Sequence, residues 1–527
     1  MAYSTGSTSG STTLTDDDDI YPAHINELRV SNPATYVVGT TTGSQYLVDG
    51  TADDVQIQEA IDAANTAGGG IVHLKEGTYD ISALITISSN VTLEGEGWTT
   101  ILKSSANVNI GIIKGTSISN VIIRNLTIDM NRANNTTLNA KQGIFYNTAS
   151  DSIIEHVYLH DQKHDANTSS SAIAMTNCTN CVCQNNYVAT VADYGIISNG
   201  AQWCKILNNY VFNPRSHGIA ILNGGYGTSY EWPTGNVVTG NIVYYDSTET
   251  EGAGGGIKIC KLNDSVISNN VLYRGITGYR GIYFDAAGDE SDANNKNYCT
   301  RVTISNNTIY GFYQGIILGG LIDCTIEGNT IHANSYSSPV GIYITKGPDN
   351  AVAVPSTRTN IVNNYMEEAT NVVTTGLGIS IVNASSSCSI IGNTIYNFGN
   401  IGLSLGTGVS DYCNYTQVID NKIIDSGDYG SSIQGKYCVI NNNLFRGSSR
   451  TTNNSGDDIH LFYTSTYNTI QGNVIIADGT NKSRYGIIEN DANADFNVIT
   501  GNTLSGQVTA TIRPLGTSTE IGHNIGY

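Results

Sequence analysis

Apolar and polar positions alternate along short runs through most of the chain, and the runs share one phrase: a small or polar residue, then apolar-Ile-x-Asn-Asn-x-apolar. CVCQNNYV, CKILNNYV, RVTISNNTI, CTIEGNTI and NVITGNTL are examples. Alternation at period two puts successive side chains on opposite faces of a strand. With the last Asn as register mark, the positions are Asn125, Asn186, Asn209, Asn241, Asn270, Asn307, Asn329, Asn364, Asn393, Asn421, Asn443, Asn473, Asn502 and Asn524. His156 fills the gap between the first two. The marks lie roughly 22 to 37 residues apart, the spacing of solenoid coils with loops of variable length. A second phrase, Gly-Ile-x-apolar, alternates with the first, as GIIK at 111, GIIS at 195, GIAI at 218, GIKI at 256, GIYF at 281 and GIYI at 341. Each coil therefore holds at least two strands, each paired with the coils above and below. The pattern predicts an all-β chain, a single-stranded right-handed parallel β-helix of about 15 coils.

Asn suits a fixed bend station because it donates and accepts, and because it tolerates the left-handed backbone that bends demand. Stacked Asn side chains can bond one another from coil to coil. Five residues before the mark stands a small side chain, such as Cys181, Cys204, Cys324, Cys388 or Cys438, and elsewhere Asn236, Ser265, Thr359 or Asn468. The cysteines are therefore expected to be buried packing. The triplet Cys178, Cys181 and Cys183 lacks the second half of a zinc site.

The ends depart from the repeat. Residues 1–45, rich in Ser, Thr and Gly with an acidic run at Asp16 to Asp19, read as a flexible or docking arm ahead of a β-helix domain at 46–527. DDVQIQEAIDAANTAGG, from residue 53, has an apolar face at Val55, Ile57, Ala60, Ile61 and Ala64 and a Gly stop. A helix near 53–67 would cap the open end of the solenoid, which otherwise exposes core and unpaired backbone.

Composition narrows the partners. The 527 residues carry a formal net charge of −20, which argues against nucleic acid, since phosphate binding needs clustered Lys and Arg. No apolar run is long enough to insert in a membrane, and the N-terminus carries no signal-peptide pattern.

The stretch DGTADDVQIQEAIDAANTAGGGIVHLKEGTYDI, followed by ITISSNVTLEGEGWTTIL, resembles the opening of pectate-lyase-like β-helix proteins, which include polysaccharide lyases, polygalacturonases and phage tailspikes. The resemblance covers residues 45–527 at the level of fold, and IYPAHINELR is similar to a phrase found ahead of such domains in phage tail proteins. It implies a polysaccharide partner, an extracellular or virion-associated location, and a monomer or homotrimer.

Loops between the Asn phrase and the Gly-Ile phrase rise from one side of such a solenoid. Short loops before Gly195 and Gly218, between longer ones at 157–172 and 243–255, make a groove whose floor carries Asp193, Tyr194, Arg215, His217, Lys258, Tyr279, Arg280 and Tyr283. Two chemistries fit. Hydrolysis needs two carboxylates, with Asp193 joined by Asp165, Asp246, Glu249 or Glu251. Proton abstraction beside a neutralised uronate carboxylate would use Lys258, His217, Arg280 or a tyrosine. Arg215, Tyr279, Tyr283 and Glu251 are candidate substrate contacts. Tyr226, Tyr230 and Trp232, in the loop after Gly218, with Tyr244 and Tyr245 beside the next loop, offer flat faces for sugar stacking, Tyr230 and Trp232 foremost.

In polygalacturonases an Asn-Thr-Asp, an Asp-Asp, a Gly-His-Gly and an Arg-Ile-Lys lie in order on neighbouring coils. Here NTS at 167, ADYG at 192, SHG at 216 and GGIK at 255 keep that order, matching His217, Lys258 and Asp193. Ser169, Tyr194 and Gly256 replace an aspartate, an aspartate and the arginine, so the polygalacturonase mechanism does not carry over intact. Alginate-lyase-like β-helices set a Lys base and an Arg acid one coil apart. Lys258 and Arg280 have that separation but differ in phase relative to their glycines.

No cofactor is required by these readings. Calcium is allowed at DAAGDESDANNK, through Asp285, Asp289, Glu290 and Asp292, and a divalent metal at His160, His164 and Asp165, although solvated polar loops explain both. Cleavage of an acidic polysaccharide, by a lyase or a glycoside hydrolase, is the leading expectation. A non-catalytic sugar-binding spike and a polysaccharide epimerase are the alternatives.

Overall fold

A computed structural model describes residues 35–526 apart from 42, 109, 136–140, 164–169, 224–231, 247–253, 285–297, 335–337, 347–353, 369–374 and 408–410, with the backbone alone for 276–279. Forty-seven strands form one continuous sheet wound as a right-handed parallel β-helix, and its strand pairs run parallel. Each full coil has three strands. In one, Lys205–Leu207, Tyr210–Pro214 and His217–Leu222 lie in register above Val182–Gln184, Tyr187–Val191 and Tyr194–Asn199. Above them come Val237–Thr239, Ile242–Tyr245 and Gly255–Ile259.

The two asparagines of the phrase divide the work of the corner between the first and second strands. The first takes the left-handed conformation, as at Asn185, Asn208, Asn269, Asn306 and Asn363, or is replaced there by a glycine such as Gly240 or Gly328. The second is buried and donates its Nδ2 to the Oδ1 of its counterpart one coil up: Asn186 to Asn209 at 2.9 Å, Asn209 to Asn241 at 3.0 Å, Asn270 to Asn307 at 2.9 Å, and on to Asn502 and Asn524 at 2.9 Å. Each also reaches a main-chain carbonyl that the corner would leave unpaired, as Asn307 does with Ile267 at 3.0 Å.

This corrects the register at two marks. Glu155 pairs with Arg124 and with Gln184, so Asn125 and His156 align with Asn185, and both have positive φ. The ladder station in those coils is held by Leu126 and Val157, both buried, and the asparagine ladder begins at Asn186. His156 is therefore the bend residue of an apolar-laddered coil and not a gap in the column.

The second phrase has a steric cause. A Cβ on Gly195 would meet Val211 Cγ1 at 2.5 Å, and one on Gly218 would meet Val243 Cγ1 at 2.3 Å, with the Gly256 carbonyl at 2.8 Å. The third strand turns in so tightly against the second that only glycine fits. The following Ile fills the interior, where Ile219, Ile257, Ile282, Ile316, Ile342 and Ile379 are buried in a column. All ten cysteines are buried free thiols.

The helix Asp54–Thr66 closes the N-terminal end with Ile57, Ala60, Ile61 and Ala64 buried. Val55, expected on that face, is exposed. Before the helix, Thr35–Gly39 pairs with Gly70–Leu74, so ordered pairing starts earlier than residue 46; residues 1–34 of the expected arm lie outside the described part. Among the described residues no helix is long and apolar enough to cross a membrane.

Candidate active site

The third strands stack into a wall whose outward residues form two columns. One runs through Ser171, Tyr194 and His217, and continues through the Gly255–Arg280 pair to Gln314. The other runs Ile197, Ala220, Lys258, Tyr283, Ile317 and Tyr343. The tight corner before each third strand sets Asp193 and Ser216 beside these columns. Ser216 N–H donates to the Asp193 carbonyl at 3.0 Å, and Tyr245 O–H, inserted below, donates to the carbonyls of Ser216 at 3.1 Å and Gly255 at 2.8 Å.

His217 lies between two aromatic rings, Tyr194 at 4.9 Å and Tyr283 at 5.6 Å between centroids, both stacked. Its Nε2 is hydrogen-bonded to the Tyr283 hydroxyl and its Nδ1 to the Ser216 hydroxyl. Lys258 is only 6 % exposed; its Nζ donates to the Tyr194 hydroxyl at 3.5 Å and sits 5.9 Å from that ring's centre. The Arg280 guanidinium covers the Tyr283 ring at 5.0 Å, and its Nε donates to Gln314 Oε1 at 3.1 Å. Burial pushes the Asp193 carboxyl up to about 6, against the opposing pull of the Ser216 hydroxyl and the Lys258 ammonium. Lys258 and Ser216 thus act on the Asp193 carboxyl, while His217 links Ser216 to Tyr283.

Of the candidates read from the sequence, the structure brings together Asp193, His217, Lys258, Tyr283 and Tyr194, with Arg280 at the edge. Lys258 and Arg280 occupy different columns, as their phase implied. Arg215 is fixed at the corner by its N–H to the Val191 carbonyl at 3.1 Å. Trp232 follows the third strand in the chain and makes a T-shaped contact with Tyr298 at 4.6 Å. Tyr244 stacks on Tyr273 at 4.7 Å within a column of second-strand aromatics, so its faces are covered by neighbours and only its edge is free to meet a ligand. Asp246 is held at an exposed corner by Asn213 Nδ2 at 2.5 Å. Tyr226, Tyr230, Glu249, Glu251, His164, Asp165, Asp285, Asp289, Glu290 and Asp292 lie outside the described residues, as does the Tyr279 side chain.

Asp129, which the sequence did not suggest, joins His160 and Asp161 in a group with the spacing of metal ligands. His160 Nδ1 meets Asp161 Oδ2 at 2.9 Å, while Lys103 Nζ already neutralises Asp129 at 3.2 Å.

Two family models match the chain. "Rhamnogalacturonase A/epimerase, pectate lyase-like" covers residues 47–236, and "Right handed beta helix region" covers 293–452. In fold and in both matches the chain is similar to the pectate-lyase-like right-handed β-helix proteins. Among individual proteins it is similar to mannuronan C5-epimerase AlgE6 of Azotobacter vinelandii, 45 % identical over 103 residues, which is 17 % of this chain and 12 % of that protein. It is also similar to AlgE1 of the same organism, 30 % identical over 244 residues, 38 % of this chain and 17 % of that one. The chain thus spans less than a fifth of the length of either relative. A tailspike variant of E. coli bacteriophage HK620, solved with a pentasaccharide, superposes over 92 % of this chain and 81 % of its own with a TM-score of 0.58 at 15 % identity, a likeness of fold.

Proposed function

We propose that the chain is a polysaccharide-modifying enzyme that removes the C5 proton of a uronic acid residue lying along this wall, and that it returns a proton to the same carbon as an epimerase. The observation that carries the reading is the buried His217–Tyr283 hydrogen bond flanked by Lys258. An imidazole and a phenol sharing one proton can accept a proton as one state and deliver it as the other. Lys258, a buried cation, would neutralise the uronate carboxylate and so stabilise the carbanion that forms at C5. Arg280 and Arg215 would hold neighbouring acidic sugars, and the Tyr194 hydroxyl beside Lys258 supplies a second proton carrier. The stretches of identity with mannuronan C5-epimerases support this choice over hydrolysis. The leading expectation from the sequence, cleavage, thus yields to its epimerase alternative.

A lyase differs only in the fate of the carbanion, which would expel the C4 oxygen instead of regaining a proton. Incubation with polymannuronate in deuterated water separates the outcomes. Deuterium at C5 with inverted H5 signals in the NMR spectrum is expected. An unsaturated chromophore would mean a lyase, new reducing ends alone a hydrolase, and binding without any of these a spike; each of the last two would overturn proton abstraction.

A further inference from the structure

Farther along the same wall the repeat is broken. From Lys258 the outward column continues through Tyr283, Ile317, Tyr343, Ser380, Ser404 and Ser432 to His460, seven rungs in all. At about 4.8 Å per rung this is about 34 Å. The coil that bears His460 reads GDDIHL, and Asp458 stands where the coils on either side have Gly430 and Gly486.

His460 is 2 % exposed, stacked on Phe462 at 3.9 Å and met edge-on by Tyr429 at 4.9 Å. Its Nδ1 is bonded to Asp457 Oδ2 at 2.7 Å. Asp457, fully buried, is in turn gripped by Arg484 Nε at 3.1 Å and Nη2 at 2.9 Å and by the Tyr485 N–H at 3.2 Å. A carboxylate fixed this way takes the Nδ1 proton as acceptor and leaves Nε2 as a lone-pair acceptor. That Nε2 is buried and has no hydrogen-bond partner among the described residues. A buried acceptor without a donor is costly, so an approaching hydroxyl is favoured there. One rung below, in register with His460, is Ser432, whose hydroxyl makes no hydrogen bond among the described residues. Register partners in a parallel pair point to the same side, so the hydroxyl and the imidazole are neighbours on the wall.

We propose that Ser432, His460 and Asp457 form a nucleophile, general base and positioning residue that hydrolyse acyl esters, with the ester borne on a sugar chain laid along the wall. Only the sugar-chain part rests on the function proposed above. Ser432 Oγ bonds to the acyl carbon as its proton passes to His460 Nε2. The C–O bond of the ester then breaks, and the departing sugar oxygen takes that proton. Water next adds to the acyl carbon, giving a proton to Nε2, and the acyl–Oγ bond breaks with return of the proton to Ser432 as the carboxylic acid leaves. Charge agrees with a neutral ester: Asp428 and Asp457 lie beside one arginine, Arg484, and Asp458 is buried next to Asp457, so an anionic group would be repelled, while the Tyr429 and Phe462 rings offer an apolar wall.

The full chain, treated with a fluorophosphonate probe and digested for mass spectrometry, should be labelled at Ser432, and it should hydrolyse p-nitrophenyl acetate. Ser432→Ala should abolish both, and His460→Gln should slow labelling at least about 1,000-fold. In Asp457→Asn the amide presents a donor to Nδ1 and moves the imidazole proton to Nε2. Labelling should then fall near neutral pH and regain speed as pH rises, with Asp428, Tyr429 and Arg484 the other titratable groups facing the ring; a merely structural loss would be flat with pH. Absence of label on a folded wild-type chain, or label at another serine, overturns the proposal. Because these readouts use no uronate, they stand or fall apart from epimerisation, and O-acetylated polymannuronate tests the sugar-chain part by release of acetate.

Discussion

Near Lys258 the wall holds three basic side chains, Lys258, His217 and Arg280, with one carboxyl, Asp193, that feels the Lys258 charge; seven rungs on, near His460, Asp428 and Asp457 lie beside one guanidinium, Arg484, and Asp458 is buried next to Asp457. The backbone beneath the two is the same, with the asparagine ladder continuous from one to the other. The ladder and the tight glycine corner carry the fold, and the outward stations of the third strand are released to take opposite charges. In the first region a buried cation faces solvent-side partners and suits an acidic sugar. In the second the cation is spent on a buried carboxylate, and what remains is a neutral acceptor in an apolar frame.

The largest test of that contrast is catalytic. His217→Ala and Lys258→Ala should each lower C5 deuterium incorporation by about 100- to 10,000-fold while the thermal transition stays in place, and Ser432→Ala should leave incorporation unchanged. If the Ser432 change removed it instead, the wall would hold one site and not two.

Next is the ion pair. Arg484→Met leaves Asp457 buried without its main counter-charge and should cost about 3 kcal/mol, read as a fall in the denaturation midpoint. Arg280→Met, whose guanidinium lies over an aromatic ring at the edge of the first site, should cost less than about 1 kcal/mol.

pH sharpens the comparison further. Burial pushes Asp458 up to about 6, opposed by its hydrogen bonds from Ser483 at 2.7 Å and Gln507 at 3.3 Å. A carboxyl raised in the fold stabilises it below its unfolded value near 4 and loses that contribution as pH climbs through 6. Stability should therefore decline over that window by about 2 to 3 kcal/mol, and Asp458→Asn should flatten the decline in urea titrations at successive pH values. Asp193, raised to the same value, should add a similar slope that Asp193→Asn removes.

A purely structural effect lies between the sites. Asn364→Ala strips donors from the carbonyl of Ile326 and the Oδ1 of Asn393, and should cost about 2 kcal/mol without altering either chemistry.

The fold was legible because its rules are single-residue rules: an Asn that must bond the next Asn, and a Gly whose Cβ would strike the neighbouring strand. The slip at Asn125 and His156 arose because the left-handed station and the ladder station are adjacent and both accept Asn; Leu126 and Val157 give the frame away only when pairing is known. His217, Lys258 and Tyr283 were readable since each follows a Gly-Ile phrase or precedes one by a fixed step. That His217 bonds Tyr283, two coils away, was not, because the distance between them along the chain carries no trace of their stacking. The His460 cluster escaped for the opposite reason. GDDIHL lacks the Gly-Ile pair, so a search for the phrase passes over it. The T-shaped contact of Trp232 with Tyr298 was not legible either, since the two lie in different loops.

Because each coil stacks on the one before it and carries the one after, the spacing between the two chemistries is a ruler graduated in whole turns. Excising residues 364–392 would join the rung below directly to Asn393 and draw the two centres closer by about 4.8 Å, leaving each intact. Any reaction that needs a substituent handled at one mark before a sugar is handled at the other would then be set by how many turns evolution keeps between them.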